Sequence, residues 1–313
     1  MILSVSRRTD IPAFYSDWFI NRIREGFVLV KNPMNTKQVS KIILNPELID
    51  CIVFWTKNPK PMINKLDNLK DYNYYFQFTL NSYDKTIEPS VPKKTYLINT
   101  FIELSNKIGK NKVIWRYDPI FLTEVFTKEY HFKWFEYLAK RLSSYTNKCV
   151  ISFLDLYAKT ERNLTSHTII PFKENDIVEI AENLSTIAAK YNLIIETCSE
   201  LVNLSDYNIN HGKCIDDKII SDVIGEKIHI EKDSTQREEC GCVKSIDIGA
   251  YNTCKHLCLY CYANFNTKMV EKNILLHDKK SPLLYGKLNG DEKINIRKMT
   301  SYRKNQGTLF SNK

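Results

Sequence analysis

The sequence has no run of about 18 or more apolar residues, so nothing in it reads as a transmembrane helix. Its opening, MILSVSRRTDIPAF, has no basic leader ahead of a long apolar stretch and does not resemble a secretory signal. These two absences set the expectation of a cytoplasmic protein with no membrane partner. No G-x-G-x-x-G and no Walker-type sequence occurs, which argues against a dinucleotide-binding sheet and a P-loop. An even set of cysteines is missing too. Nine cysteines in a chain expected in a reducing compartment argue against a disulfide framework. A disordered composition is also excluded, because 43% hydrophobic residues in 313 suffice for a buried core of one large or two modest domains.

What is present is a succession of short runs dense in Val, Ile, Phe, Tyr and Trp, separated by helical patterns. The strand-like runs are 2–6, 51–56, 74–80, 112–117, 149–156 and 193–197, with a seventh, VKSIDIG, at 243–249. Helices are expected at 16–25 with Ser16 as N-cap, then at 61–69, 92–109, 128–144 and 174–191. This βα alternation predicts an α/β fold with a parallel sheet buried on both faces, closed or partly closed as a TIM-like barrel. Chemistry in such folds gathers where strands end. Those ends are polar here: Arg7, Arg8 and Asp10; Lys57 and Asn58; Gln77 and Asn81; Arg116 and Asp118; Asp155; Glu196 and Glu200. Each has a helix-capping or ion-pairing alternative. Together around one rim they predict a pocket for a polar, partly anionic ligand, with no residue singled out as catalytic.

The cysteines are unevenly placed. Cys51 and Cys149 open apolar runs and read as small buried hydrophobes. The other seven fall between residues 198 and 261. Cys254, Cys258 and Cys261 stand as C-x3-C-x2-C with Tyr260 before the last, a spacing that suits three thiolates around one face of a [4Fe–4S] cluster with one iron left open. Zinc is the competitor, with His256 as a fourth ligand, although its position between two cysteines makes joint chelation awkward. Cys198, Cys214, Cys240 and Cys242 make a set of four, the number a second closed site needs, as an auxiliary [4Fe–4S] cluster or a zinc tetrathiolate.

The segment CKHLCLYC resembles the cluster-binding loop of radical S-adenosylmethionine enzymes. The chain from SVSRRTDIPAF through WTKNP, FQFTLN and WRYDPI to CGCVKSIDIGAYNTCKHLCLYCYAN resembles the family known as DUF1848 over roughly residues 1–265. The resemblance implies that Cys254, Cys258 and Cys261 bind three irons and that S-adenosylmethionine occupies the fourth. It implies reductive cleavage of that cofactor to methionine and a 5′-deoxyadenosyl radical acting on an unknown substrate, with a separate electron donor. Arg7, Arg8, Asp10, Lys57, Gln77, Arg116 and Asp118 at the mouth, with Tyr260 beside the cluster or adenine, would then be cofactor contacts. A GGE-like triplet after the second strand is absent, and WTKNP stands in its place. The alternative function is a non-catalytic iron–sulfur or zinc barrel used for binding or redox sensing. Because the usual cluster loop follows the first barrel strand, a permuted order is expected, with VKSIDIG returning beside the N-terminal strand.

The expected organisation is a βα core over 1–197, a cysteine-rich segment over 198–265 and a basic extension over 266–313. Residues 286–313 carry seven Lys or Arg against two acidic residues within a net charge of +9, so a solvated tail or a nucleic-acid contact is expected. QGTLF near the end resembles the pentapeptide that tethers proteins to the bacterial sliding clamp, with Gln306, Leu309 and Phe310 as its contacts.

Overall fold

The computed structural model of the chain describes residues 1–155, 158–165 and 168–303. Eleven strands are set out among them: β1 (Ile2–Val5), β2 (Phe27–Asn32), β3 (Asn35–Ile43), β4 (Cys51–Thr56), β5 (Tyr74–Thr79), β6 (Val113–Ile120), β7 (Lys148–Phe153), β8 (Ile194–Thr197), β9 (Asn210–His211), β10 (Ile246–Asp247) and β11 (Lys293–Ile296). Eight form one sheet in the order β10-β1-β4-β5-β6-β7-β8-β9, with every pairing parallel. The α/β architecture is therefore as expected. The end strands β9 and β10 make no pairing with each other among the described residues, so a closed barrel is not established.

Strand residues alternate between two faces, as the period of two demands. Leu3, Ile52, Phe54, Phe76, Trp115 and Ile151 face one apolar cluster. The helices Ser16–Glu25, Lys94–Ile108, Lys128–Leu142 and Glu174–Lys190 cover that face with one stripe each, including Trp18, Phe101, Phe135 and Leu184. Ile2, Cys51, Val53, Tyr75, Ile114 and Val150 face a second cluster, closed by Ile215, Ile219, Ile220, Ile228, Ile230 and Val243. Cys51 and Cys149 are fully buried, one on each face, as small hydrophobes. No helix among the described residues is long and apolar enough to cross a membrane.

Two local expectations need correction. Ser16 is the first helical residue and not the N-cap, which is Tyr15. Asp10 already caps the preceding turn, Ile11–Phe14, by accepting from the Ala13 amide at 2.9 Å. The chain passes from that turn into the next helix with no separate capping residue, and the Ser16 hydroxyl instead accepts from Lys65 Nζ at 2.8 Å. The second correction is an unforeseen sheet of order β11-β3-β2. It consists of an antiparallel hairpin turning at Pro33–Met34, with β11 added in parallel along β3.

The late strand does return to the N-terminal one. β10 lies parallel to β1, with Leu3 opposite Ile246 and Ser4 opposite Asp247. It is only two residues long, so ladder hydrogen bonds alone hold it weakly. The Asp247 carboxylate completes the attachment. It accepts from Ser4 Oγ at 2.8 Å, Ser6 Oγ at 2.6 Å, and the amides of Arg7 at 2.8 Å and Gly249 at 2.9 Å. Hydrogen bonds to an ionised acceptor are the stronger kind. Gly249 is required by space, since a Cβ there would sit 2.0 Å from Ser6 Oγ and 2.6 Å from Ser6 Cβ. Gly249→Ala is therefore expected to destabilise the protein by about 1–3 kcal/mol in denaturant unfolding. An unchanged midpoint would show that Ser6 can move aside freely.

Candidate functional site

The C-terminal half of β6 and segments that follow β1, β4, β7, β8 and β10 converge on one cavity of about 1250 Å³. Arg7, Arg8, Asp10, Lys57, Arg116 and Asp118 line it from the ends of β1, β4 and β6, and Tyr260 lines it from the cysteine loop. So do the seven clustered cysteines. Gln77 does not. It sits inside β5, fully buried, with Nε2 donating to the Cys214 carbonyl at 2.8 Å, one turn of alternation below the strand end. The hairpin supplies part of the wall through Leu29, Lys31 and Met34, residues with no functional signal in the sequence. The pentapeptide with Gln306, Leu309 and Phe310 lies outside the described residues.

The loop carrying Cys254, Cys258 and Cys261 is fixed along its length. Tyr15 Oη donates to the Thr253 carbonyl at 2.6 Å, and Asn264 Nδ2 donates to the Cys254 carbonyl at 2.8 Å. The Ser90 amide donates to the His256 carbonyl at 3.2 Å, and the Leu259 amide to the Ile87 carbonyl at 3.0 Å. Leu257 adopts a left-handed φ of 56°, unusual for a residue with a Cβ, so the turn between Cys254 and Cys258 is held against local preference. His256 Nε2 lies 2.9 Å from Asp10 Oδ2, while Nδ1 is buried without a partner. Asp10 also accepts from the Lys57 amide at 2.7 Å. Its carboxylate thus joins the loop to the ends of β1 and β4, a positioning task that the sequence left as a generic rim contact.

Beside Cys258 lies a buried ionic group. Glu88, 1% exposed, pairs with Lys57 Nζ at 2.7 Å and Lys94 Nζ at 2.6 Å. Tyr260 Oη donates to the same carboxylate and accepts from Asn81 Nδ2 at 3.1 Å. Burial pushes the Glu88 carboxyl up, but the two lysines outweigh it and hold it at about 2. Lys57 is likewise opposed by burial and held above the usual lysine range by Glu88 and the Cys258 sulfur. Burial pushes the Cys258 thiol up to about 12, with Lys57 pulling the other way. Lys57 is therefore a cation beside the sulfur that a metal would need as thiolate. Glu88 and Lys94 were not anticipated. Their only sequence signal is charge beside a predicted helix start, which is common on any surface.

The second cysteine set also comes together. Cys198 Sγ and Cys214 Sγ are 2.9 Å apart, and Cys242 Sγ accepts from the amide of Ile215, the residue after Cys214, at 3.4 Å. Arg116 Nη1 donates to Cys214 Sγ at 2.8 Å, and its other donors hold Asp118. Shared protons push the Cys214 and Cys240 thiols up and the Cys198 and Cys242 thiols down. Among the described residues no three or more His, Cys, Asp or Glu side chains already stand in an arrangement that could hold a single metal ion.

A family model described as a domain of unknown function, DUF1848, matches residues 2–263. The chain belongs to the DUF1848 family. No curated protein and no solved structure matches it. The DUF1848 span takes in β1 through β10 and all nine cysteines, and ends two residues after Cys261.

The Glu88 group generates a pH prediction. Its folded-state carboxyl titrates below the unfolded value of about 4.3, so its stabilising contribution is complete above about pH 4.5 and is lost as pH falls toward 2. Glu88→Gln should lower unfolding free energy at pH 7 by about 3–5 kcal/mol, because it leaves two buried lysines without an anion. The variant should also lose less stability than the wild type between pH 4.5 and 2. Equal stability at pH 7 would contradict the assigned role.

Proposed function

We propose that the protein is a radical S-adenosylmethionine enzyme whose [4Fe–4S] cluster is held at three irons by Cys254, Cys258 and Cys261. The observation that carries this reading is the cysteine loop itself, pinned over the strand ends by Asp10, Tyr15 and Glu88 contacts and opening on a cavity large enough for a nucleoside-sized ligand. Ligands of a cubane bind different irons and need not converge on one point, so three separate thiols on one cavity fit it.

When bound, the cluster with S-adenosylmethionine on its open iron supplies the electron and the carbon radical that abstracts hydrogen from substrate. The chain's own residues bind, orient and exclude water. Lys57 places a buried positive charge near Cys258, which favours the thiolate form. Arg8 stands over the Tyr251 ring at 5.3 Å and Arg7 over the Trp55 ring at 5.2 Å, so cations and aromatic faces share the cavity wall. Such a wall suits a carboxylate and a purine. Where a glycine-rich triplet would lie the chain has WTKNP, and there the Lys57 amide is bound by Asp10 and its ammonium by Glu88.

The sheet is proposed to curl as a partial barrel. In a flat sheet β10 and β8 would stand six spacings, about 29 Å, apart, yet segments after both line one cavity. The basic stretch 286–313, with seven Lys or Arg against two acidic residues, biases the substrate class toward a nucleotide or nucleic acid.

Anaerobically reconstituted protein, given S-adenosylmethionine and dithionite, should yield 5′-deoxyadenosine, and Cys258→Ala should yield none. By calorimetry the wild type should bind S-adenosylmethionine and Cys258→Ala should not. A full cluster complement with neither product nor binding would favour a non-catalytic iron–sulfur protein.

A further inference from the structure

We infer that Cys198, Cys214, Cys240 and Cys242 form a second metal site, a closed [4Fe–4S] cluster with all four ligands from the chain, held by the Arg116 and Arg7 guanidinium groups. The inference does not depend on what the Cys254 loop binds. The four thiols arrive from three places: the end of β8, the loop after β9 and the C-x-C pair ahead of β10. Chance does not readily bring all four onto one cavity wall, with Cys198 Sγ and Cys214 Sγ 2.9 Å apart. The Ile215 amide donates to Cys242 Sγ at 3.4 Å, the kind of backbone support given to ligating sulfurs.

Positive charge is concentrated on the same spot. Arg116, 4% exposed, donates to Cys214 Sγ at 2.8 Å. Arg7 lies close enough to feel the charge of both Cys214 and Cys242. Trp55 carries both guanidinium groups over its ring, at 5.2 and 5.4 Å, so neither is a loose surface cation. Four thiolates on iron–sulfur or zinc leave a net negative charge, which two guanidinium groups offset.

The choice of cluster over a single zinc ion rests on donors and space. A zinc tetrathiolate offers acceptors only at its four sulfurs, about 3.8 Å apart for Zn–S bonds of about 2.3 Å. A cubane adds inorganic sulfides as further acceptors. Arg7 Nη2 is buried here with no acceptor, a donor that such a sulfide would satisfy. All four cysteines also line the large cavity, into which the sulfurs can spread to receive a cluster.

The test counts iron, sulfide and zinc on the anaerobically reconstituted full chain. The wild type should hold about eight irons and eight sulfides, and the Cys254→Ala/Cys258→Ala/Cys261→Ala variant about four of each. The Cys214→Ser/Cys242→Ser variant should also hold about four, which keeps the test valid if the triple variant misfolds. On reduction the triple variant should give a cluster EPR signal, and Arg116→Gln should lower its midpoint potential, because a lost positive charge disfavours the added electron. About one zinc with no sulfide in the triple variant overturns the cluster assignment. A wild type with about four irons, all lost in the triple variant, overturns it as well and leaves the loop reading standing. Four irons lost only with Cys214 and Cys242 would uphold the second site while sinking the loop reading.

Discussion

The docking of a two-residue strand by one carboxylate governs the rest of the structure. β10 is too short to hold its place through ladder hydrogen bonds, and Asp247 adds four further bonds from the end of β1 and from Gly249. Fixing β10 there fixes the loop that follows it. Cys254, Cys258 and Cys261 then hang over the ends of strands that lie far earlier in the chain. The same attachment brings Arg7 toward the second cysteine set, since Arg7 leaves β1 through the residue whose amide Asp247 binds. Further contacts then seat the loop, among them Tyr15 on the Thr253 carbonyl and the Leu259 amide on the Ile87 carbonyl.

Two buried polar groups turn this placement into a defined site. Asp10 ties His256, the Lys57 amide and the Ile11–Phe14 turn into one node. Glu88 ties Tyr260, Lys57 and Lys94 into another. Lys57, just after β4, belongs to both nodes, and the loop's own His256 and Tyr260 meet them, so long-range side-chain contacts locate the loop. Buried charges of this kind are costly unless fully paired, and here every carboxylate oxygen in both nodes has a partner. The arrangement favours precision at the cavity over maximal stability.

Much of the fold was legible because parallel strands buried on both faces announce themselves as continuous apolar runs. CIVFWT, YYFQFT and the other runs fall within about three residues of their observed ends. The return of the late strand was legible as well, from the run immediately before the cysteine loop. The hairpin and its partner β11 were not, because β11 finds β3 across some 250 residues and its own sequence, KINI, is exposed and unremarkable. Gln77 was misplaced for a related reason. A polar residue at the end of a run reads as a rim residue, whereas here it faces inward to meet the Cys214 carbonyl, a partner that no local pattern reveals. The cysteine spacing was the strongest signal in the chain, yet it could not disclose Glu88, Lys94 or the arginine pair on Trp55, whose roles exist only through long-range contacts.

The central claim is that the Cys254–Cys258–Cys261 loop holds a cluster with an open iron, and EPR of the reduced protein tests it most directly. Spectra should be recorded with and without S-adenosylmethionine on the wild type and on Cys258→Ala. The account predicts a cluster signal that changes when S-adenosylmethionine is added to the wild type, and no such change in the variant. A reduced cluster whose spectrum is indifferent to S-adenosylmethionine would contradict it.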